Sequence, residues 1–169
     1  MMQELTAVNP PIIGNIPEQL TERPQWVCWR LEERDSKMTK VPYTPGSVRR
    51  ASSTDLMTWR TFPEAVSAYE RSEPPYDGIG YVFGPCPFAG IDLDDCRDSE
   101  TGEVAAFARA ILDEVPEGYV EASPSGTGIH VILRGAVRGG AVKRNGIEMY
   151  SRGRFFTVTG HALGAGGLS

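Results

Sequence analysis

Two aspartates separated by a single residue, Asp92 and Asp94, form the pair best suited to metal chemistry in this sequence. They close an apolar run over 88–93, which predicts a β-strand. Alternate residues of a strand share a face, so the two carboxylates would project together, about 7 Å apart. Such charges repel unless a cation lies between them, and hard ions such as Mg²⁺ prefer oxygen ligands. The alternative is a strand that ends in a solvated acidic turn.

A histidine, His130, interrupts an otherwise apolar segment over 129–133. The segment follows a loop of small residues over 123–128, and free backbone N–H groups in such a loop would suit phosphate oxygens. The chain contains only two histidines, so a zinc site built from several imidazoles is excluded. A single histidine beside carboxylates suits phosphate binding or proton donation. The alternative is a core histidine that bonds a backbone carbonyl.

A third candidate, Glu148, lies between apolar neighbours that must face the other way on a strand. It is the single carboxylate in a basic region over 130–169. Glu148 would supply a third metal oxygen, with Arg152 and Arg154 close enough in sequence to neutralise a triphosphate. The alternative is a surface ion pair between Glu148 and one of these arginines, which contributes little to stability.

These side chains need several strands to position them, and the hydrophobic pattern predicts such a scaffold. Strands are predicted over 26–31, 37–43, 78–83, 88–93, 119–122, 129–133, 146–150 and 154–159. One helix begins after Thr61, which caps it in a capping box with Glu64, and a second spans about 103–115. The order ββαββαββββ is typical of an α+β fold with a largely antiparallel sheet and helices that cover one face.

The predicted boundaries define one folded unit with short flanking segments. Residues 1–24 are expected to form an extended lead-in, 25–163 the domain that carries the candidate residues, and 164–169 a tail or the start of a linker. The stretch over 135–145, which contains Gly139 and Gly140, is expected to be a mobile loop.

Composition supports a single globular domain and excludes several classes of protein. The chain has 169 residues, 40% hydrophobic and 23% charged, with a net charge of -5. Its start lacks the pattern of a signal peptide, and no apolar run approaches the roughly 20 residues needed to span a bilayer. Its three cysteines form no CxxC pair, so neither a disulfide framework nor a zinc ribbon is expected. We expect a cytoplasmic protein without a membrane partner, and net acidity argues against a general nucleic-acid coat.

Taken together, these segments resemble the N-terminal primase-polymerase domain of phage and plasmid replication proteins, within the archaeo-eukaryotic primase superfamily. The three motifs of that superfamily correspond to IDLD at 91–94, GIH at 128–130 and IE at 147–148. Flanking segments also agree, namely KVP at 40–42, ASSTD at 51–55 with Trp59, and SPSG at 123–126. The similarity runs in order from about 26 to 159. It departs at Gly128, where the family often has serine, and in using glutamate as the third carboxylate.

The resemblance implies an α+β primase-type core that transfers nucleotides from dNTPs or NTPs to a templated 3′ end. Two Mg²⁺ or Mn²⁺ ions would be held by Asp92, Asp94 and Glu148, and His130 would complete the catalytic set by holding the triphosphate. Further nucleotide contacts would come from Ser125, Thr127, Lys40, Arg152 and Arg154. The implied partners are single-stranded or primed DNA and a helicase or helical accessory region outside this chain.

Two other functions remain open from the sequence. The same fold could serve as a non-catalytic module that binds nucleotide or single-stranded DNA. A metal-dependent nuclease is disfavoured, because no ExK pattern follows from Glu148 and the sequence contains no HxH pair.

Overall fold

The computed structural model describes residues 8–164 and 167–168, and within them two antiparallel sheets pack together with short helices. The strands are β1 (Trp26–Arg34), β2 (Lys37–Tyr43), β3 (Gly78–Phe83), β4 (Phe88–Leu93), β5 (Tyr119–Ala122), β6 (Ile129–Arg134), β7 (Ala141–Arg144), β8 (Ile147–Tyr150) and β9 (Arg154–Val158). The helices are α1 (Glu18–Thr21), α2 (Phe62–Arg71) and α3 (Ala106–Glu114), with 3₁₀ helices at Ile13–Asn15 and Leu56–Thr58. The α+β class is confirmed, but the antiparallel strands form two sheets where one was expected.

The first sheet has the strand order β2-β1-β3-β9. Its β1–β2 hairpin turns at Asp35 and Ser36, which have φ angles of 49° and 62°. Two consecutive positive φ angles are typical of the tight turns whose twist matches that of the flanking strands. Strand β1 extends to Arg34, three residues beyond the bound predicted for it.

The second sheet has the strand order β5-β6-β4-β8-β7, and its register aligns five polar residues. Glu121 lies opposite His130, His130 opposite Asp92, Asp92 opposite Glu148, and Glu148 opposite Lys143. Directly opposed residues on neighbouring antiparallel strands project to the same face. These five residues therefore form one row across the sheet, which we call the polar row.

The face that carries the polar row also packs against the first sheet. On this face Phe88, Ile132 and Tyr150 share a buried cluster with Phe83 and Phe156 of the first sheet. The Phe83 and Phe156 rings meet edge to face with centroids 4.9 Å apart. The opposite face of the second sheet buries its alternate residues against α3, as strand periodicity requires: Ile91, Leu93, Ile129 and Val131.

Helix α2 begins as predicted, whereas α3 begins later. In α2, Thr61 caps the backbone N–H of Glu64, and the Glu64 carboxylate accepts from the Thr61 N–H at 2.9 Å. In α3 the first helical residue is Ala106. The residues before it are extended because Val104 bridges to Arg97 and the Ala105 N–H donates to the Cys96 carbonyl.

Three segments differ from their predicted conformation. The stretch expected to be a mobile loop contains strand β7, which pairs with β8. The expected extended lead-in contains a 3₁₀ helix and α1, in which Leu20 is fully buried. Of the expected tail, Leu168 is buried in the core, and 165, 166 and 169 lie outside the described residues, as do 1–7 of the lead-in.

None of the helices in the described ranges combines the length and hydropathy that crossing a membrane would need.

Candidate active site

A cavity of about 200 Å³ opens between the two sheets at the polar row. Three strands of the second sheet place Asp92, His130 and Glu148 in its wall. The other lining residues are Tyr150 of the second sheet and Lys40, Arg154, Phe155, Phe156 and Thr157 of the first. Residues far apart in sequence thus meet at one cavity, and three of the four predicted catalytic residues line it.

The fourth, Asp94, lies just beyond the end of β4 and is exposed. Its pKa is raised, first by partial burial and then by the negative charges of Asp92 and Glu148. Asp94 is therefore within electrostatic range of both carboxylates. Repulsion of this kind is relieved when a cation binds between the groups.

His130 is buried and makes different contacts through its two ring nitrogens. Its Nδ1 lies 3.0 Å from the backbone carbonyl of Thr157 on β9. Its Nε2 lies 3.5 Å from Oδ1 of Asp92, and the ring packs on Phe156 with centroids 5.0 Å apart. The alternative interpretation, a core histidine bonded to a backbone carbonyl, is thus correct for Nδ1. Nε2 instead faces the carboxylate of Asp92 at the cavity.

Glu148 has a hydrogen-bond partner on each carboxylate oxygen. Lys143 Nζ lies 2.8 Å from Oε1, and the Tyr150 hydroxyl donates to Oε2 at 2.6 Å. These two bonds hold the pKa of Glu148 below its usual range. The alternative interpretation was a surface ion pair between Glu148 and an arginine, but the partner is Lys143. The Arg154 guanidinium instead stacks on the Tyr150 ring, with its Cζ 4.8 Å from the ring centroid.

Across residues 8–164 and 167–168, no group of three or more His, Cys, Asp or Glu side chains is arranged to hold a metal ion. The donor chemistry nevertheless fits a hard divalent ion, because carboxylate oxygens are the ligands that Mg²⁺ and Mn²⁺ prefer. The side chains of Asp92 and Glu148 are 25% and 20% exposed, so solvent and ions reach both. Burial and the charges of Asp92 and Glu148 raise the pKa of Asp94, and a bound cation would relieve this repulsion.

The loop over 123–128 does not offer the free N–H groups expected of a phosphate-binding loop. The N–H of Gly126 donates to the Ser123 carbonyl, and the N–H of Gly128 donates to the Ser123 hydroxyl. The Ser125 and Thr127 hydroxyls bond each other at 2.8 Å. These hydrogen bonds within the loop stabilise the segment that leads into β6 and His130. Nucleotide contact by Ser125 and Thr127 stays a prediction.

The predicted basic residues are divided between two places. Lys40 and Arg154 line the cavity at the polar row. Desolvation of its ammonium group lowers the pKa of Lys40, and the charges of Asp92 and Asp94 oppose that shift. Arg152 lines a separate groove of about 460 Å³ instead. A role for Lys40 and Arg154 at a polyanion is thus compatible with their positions.

Three residues at the site were not identified from the sequence: Glu121, Lys143 and Tyr150. Glu121 was placed in the strand predicted over 119–122 but given no role, and Lys143 was assigned to a mobile loop. One sequence pattern could have identified Glu121, namely a polar residue inside an apolar strand segment. The same pattern identified His130. Lys143 carried no such signal, because the four residues of β7 are all exposed.

This chain is similar in sequence to a known phage protein. A scan against protein-family models finds no match. The chain is 36% identical over 161 residues to a protein named DNA Primase-polymerase from Nitratiruptor phage NrS-1, a match that covers 90% of this chain. The chain spans about a fifth of the length of that relative, since the match covers 21% of it. The likeness supports a relationship between this chain and phage DNA primase-polymerases.

Proposed function

We propose that this chain is the metal-dependent catalytic domain of a DNA primase-polymerase in a phage or plasmid replication protein. It would add nucleotides from dNTPs or NTPs to a templated 3′ end. The observation that carries the proposal is the polar row, which aligns Asp92, His130 and Glu148 on adjacent strands at one cavity. The similarity to a phage primase-polymerase supports the choice of nucleotidyl transfer over other metal-dependent reactions.

Each residue has a distinct role in this proposal. Asp92, Asp94 and Glu148 would hold two Mg²⁺ or Mn²⁺ ions, which when bound neutralise charge on the α-phosphate and activate the attacking 3′ oxygen. His130 presents Nε2 toward the cavity and would donate a hydrogen bond to a triphosphate oxygen. Lys40 and Arg154 flank the cavity and would offset the remaining negative charge.

The partners follow from the same chemistry. The site would take a dNTP or NTP together with single-stranded or primed DNA. Because the chain spans only about a fifth of its relative, a helicase or helical accessory region would belong to the complete protein.

Primer extension in Mg²⁺ or Mn²⁺ tests the proposal, with Asp92→Ala/Asp94→Ala as the inactive variant. We expect loss of at least about a hundredfold in extension rate, since ligand carboxylates act in the transition state. The matched control is Asp113→Asn/Glu114→Gln, which removes two charges at the end of α3, on the opposite face of the sheet. Equal extension by wild type and the Asp92→Ala/Asp94→Ala variant would refute the proposal.

A non-catalytic nucleotide- or DNA-binding module is the second candidate. It is favoured by one observation, which is that both oxygens of Glu148 already have protein partners. Such a module would bind nucleotide or single-stranded DNA with equal affinity in EDTA and in Mn²⁺. Calorimetry under both conditions separates the two candidates, because the polymerase should bind nucleotide more tightly with the divalent ion present.

A further inference from the structure

Glu121, at one end of the polar row, is a fully buried carboxylate that the proposed chemistry does not use. It accepts from the Tyr119 hydroxyl at 2.8 Å, and its two oxygens accept from the Thr159 N–H at 3.0 and 3.1 Å. The Gly160 N–H donates to it at 2.9 Å. A buried charge is tolerated only when it is well hydrogen-bonded, so this arrangement is a built feature of the fold.

The carboxylate of Glu121 faces the imidazole of His130. The two residues are directly opposed across β5 and β6, and Glu121 Oε1 lies 3.5 Å from His130 Nδ1. The same Nδ1 lies 3.0 Å from the Thr157 carbonyl. Both neighbours of Nδ1 can only accept hydrogen bonds, because one is a carbonyl and the other a carboxylate. Nδ1 therefore carries a proton, and Nε2, which lies 3.5 Å from the Asp92 carboxylate, faces the cavity.

Glu121 also fixes the strand end that supplies the carbonyl. Its bonds to the N–H groups of Thr159 and Gly160 hold the chain two and three residues beyond Thr157. Because Glu121 belongs to β5, these bonds link the second sheet to the chain that follows β9 of the first. The distance between the Thr157 carbonyl and the histidine ring thus depends on Glu121.

We propose that Glu121 is a positioning residue, which orients the His130 imidazole so that Nε2 points at the triphosphate of an incoming nucleotide. The role in nucleotide binding rests on the proposed function, whereas the orientation of the ring does not. No other ionisable side chain among the described residues is in ion-pair contact with Nδ1.

The test is Glu121→Gln, a replacement of the same shape. With its amide oxygen in the place of Oε2, glutamine still accepts from Tyr119, Thr159 and Gly160. Its NH₂ group then takes the place of Oε1 and presents a donor to His130 Nδ1. Tyr119→Phe is the matched control, because it removes one hydrogen bond from the same carboxylate without changing what faces the ring.

The first measurement is ¹⁵N NMR of histidine-labelled protein, with His161→Gln used to assign the two imidazoles. We expect the His130 ring signals of Tyr119→Phe to match those of wild type, and those of Glu121→Gln to shift, because its NH₂ group opposes the Nδ1–H donor and turns the ring away. Unchanged His130 ring signals in a folded Glu121→Gln variant would overturn the inference, because the ring would then keep its orientation without the carboxylate.

The second measurement is the apparent KM for nucleotide in primer extension. We expect Glu121→Gln to raise KM roughly tenfold, the size of one charge-assisted hydrogen bond, with a smaller change in kcat. A fall in kcat at constant KM would indicate a structural role and count against nucleotide positioning. If wild type extends no primer while the NMR difference is present, the proposed function fails and the orienting role of Glu121 stands.

Discussion

At the scale of single residues, charged groups of the site pair with one another. Glu148 is neutralised by Lys143 and bonded by Tyr150, and Asp92 faces His130. Asp94 makes no ion pair within residues 8–164 and 167–168, and its pKa is raised by burial and then by its acidic neighbours. Binding of a cation would therefore compete with Lys143 for the oxygens of Glu148.

The competition can be measured with Lys143→Met. Removal of the ammonium group frees Oε1 of Glu148, so we expect the affinity for Mn²⁺ to rise by up to about fivefold, which is the range of an exposed ion pair. Isothermal titration calorimetry with Mn²⁺ alone gives the affinity. Arg144→Met is the control, because it removes the same charge from the adjacent residue on the other face of β7. Weaker Mn²⁺ binding by Lys143→Met would contradict the competition.

At the scale of elements, short strands align the site while helix ends stabilise the scaffold. The polar row needs β5, β6, β4 and β8 in a single register, because a slip of one residue would turn its side chains to the α3 face. Helix α2 packs against the first sheet through Ala65 and Ala68, and its capping box satisfies N–H groups that the helix itself cannot.

The capping box predicts a pH-dependent effect of Thr61→Ala. We expect a loss of about 1 kcal/mol in the free energy of unfolding near neutral pH. Hydrogen bonds from the N–H and then from the hydroxyl of Thr61 lower the pKa of Glu64, and Thr61→Ala removes only the hydroxyl bond. The contribution of that bond is present above the ordinary value of 4.5 and is lost as the pH falls through the folded pKa. Urea denaturation at several pH values should show the cost shrinking in acid.

Ser67→Ala provides the control within the same helix, since Ser67 is exposed and makes no cap. It should leave stability unchanged or slightly higher at every pH. A cost of Thr61→Ala that stays constant down to about pH 3 would show that Glu64 does not take part.

At the scale of the whole molecule, the site exists because two sheets pack closely at Gly90. A Cβ atom there would lie 2.4 Å from Cε2 of Phe156 and 2.7 Å from Cζ of Phe83. Phe156 in turn supports the ring of His130. The packing between the sheets and the position of the imidazole are therefore coupled through one aromatic side chain.

Gly90→Ala should consequently affect both stability and the site. We expect a loss of roughly 1–3 kcal/mol in the free energy of unfolding, because the core must shift to admit the methyl group. The His130 ring signals in NMR should move as Phe156 is displaced. Gly14→Ala is the control, since no atom lies within 4 Å of a Cβ at that position. Equal stability of the two variants would argue against tight packing at Gly90.

Local features of the fold could be predicted from the sequence because their causes are local. The bounds of β2, β3, β4 and β5 follow from apolar runs between turn residues, and the capping box depends on two residues three positions apart. The first residues of α3 could not be predicted, because their extended conformation comes from contacts with Cys96 and Arg97. Strand β7 was missed for a similar reason, since its exposed residues are held by pairing with β8.

The alternation of side-chain directions along a strand was sufficient to predict that Asp92, His130 and Glu148 each project away from the apolar side chains next to them in sequence. Which strands pair, and in which register, depends on hydrogen bonds between segments far apart in the chain, and any extended segment offers the same unpaired N–H and C=O groups. Tertiary packing therefore determined that there are two sheets, that Glu121 lies behind His130, and that Lys143 reaches Glu148.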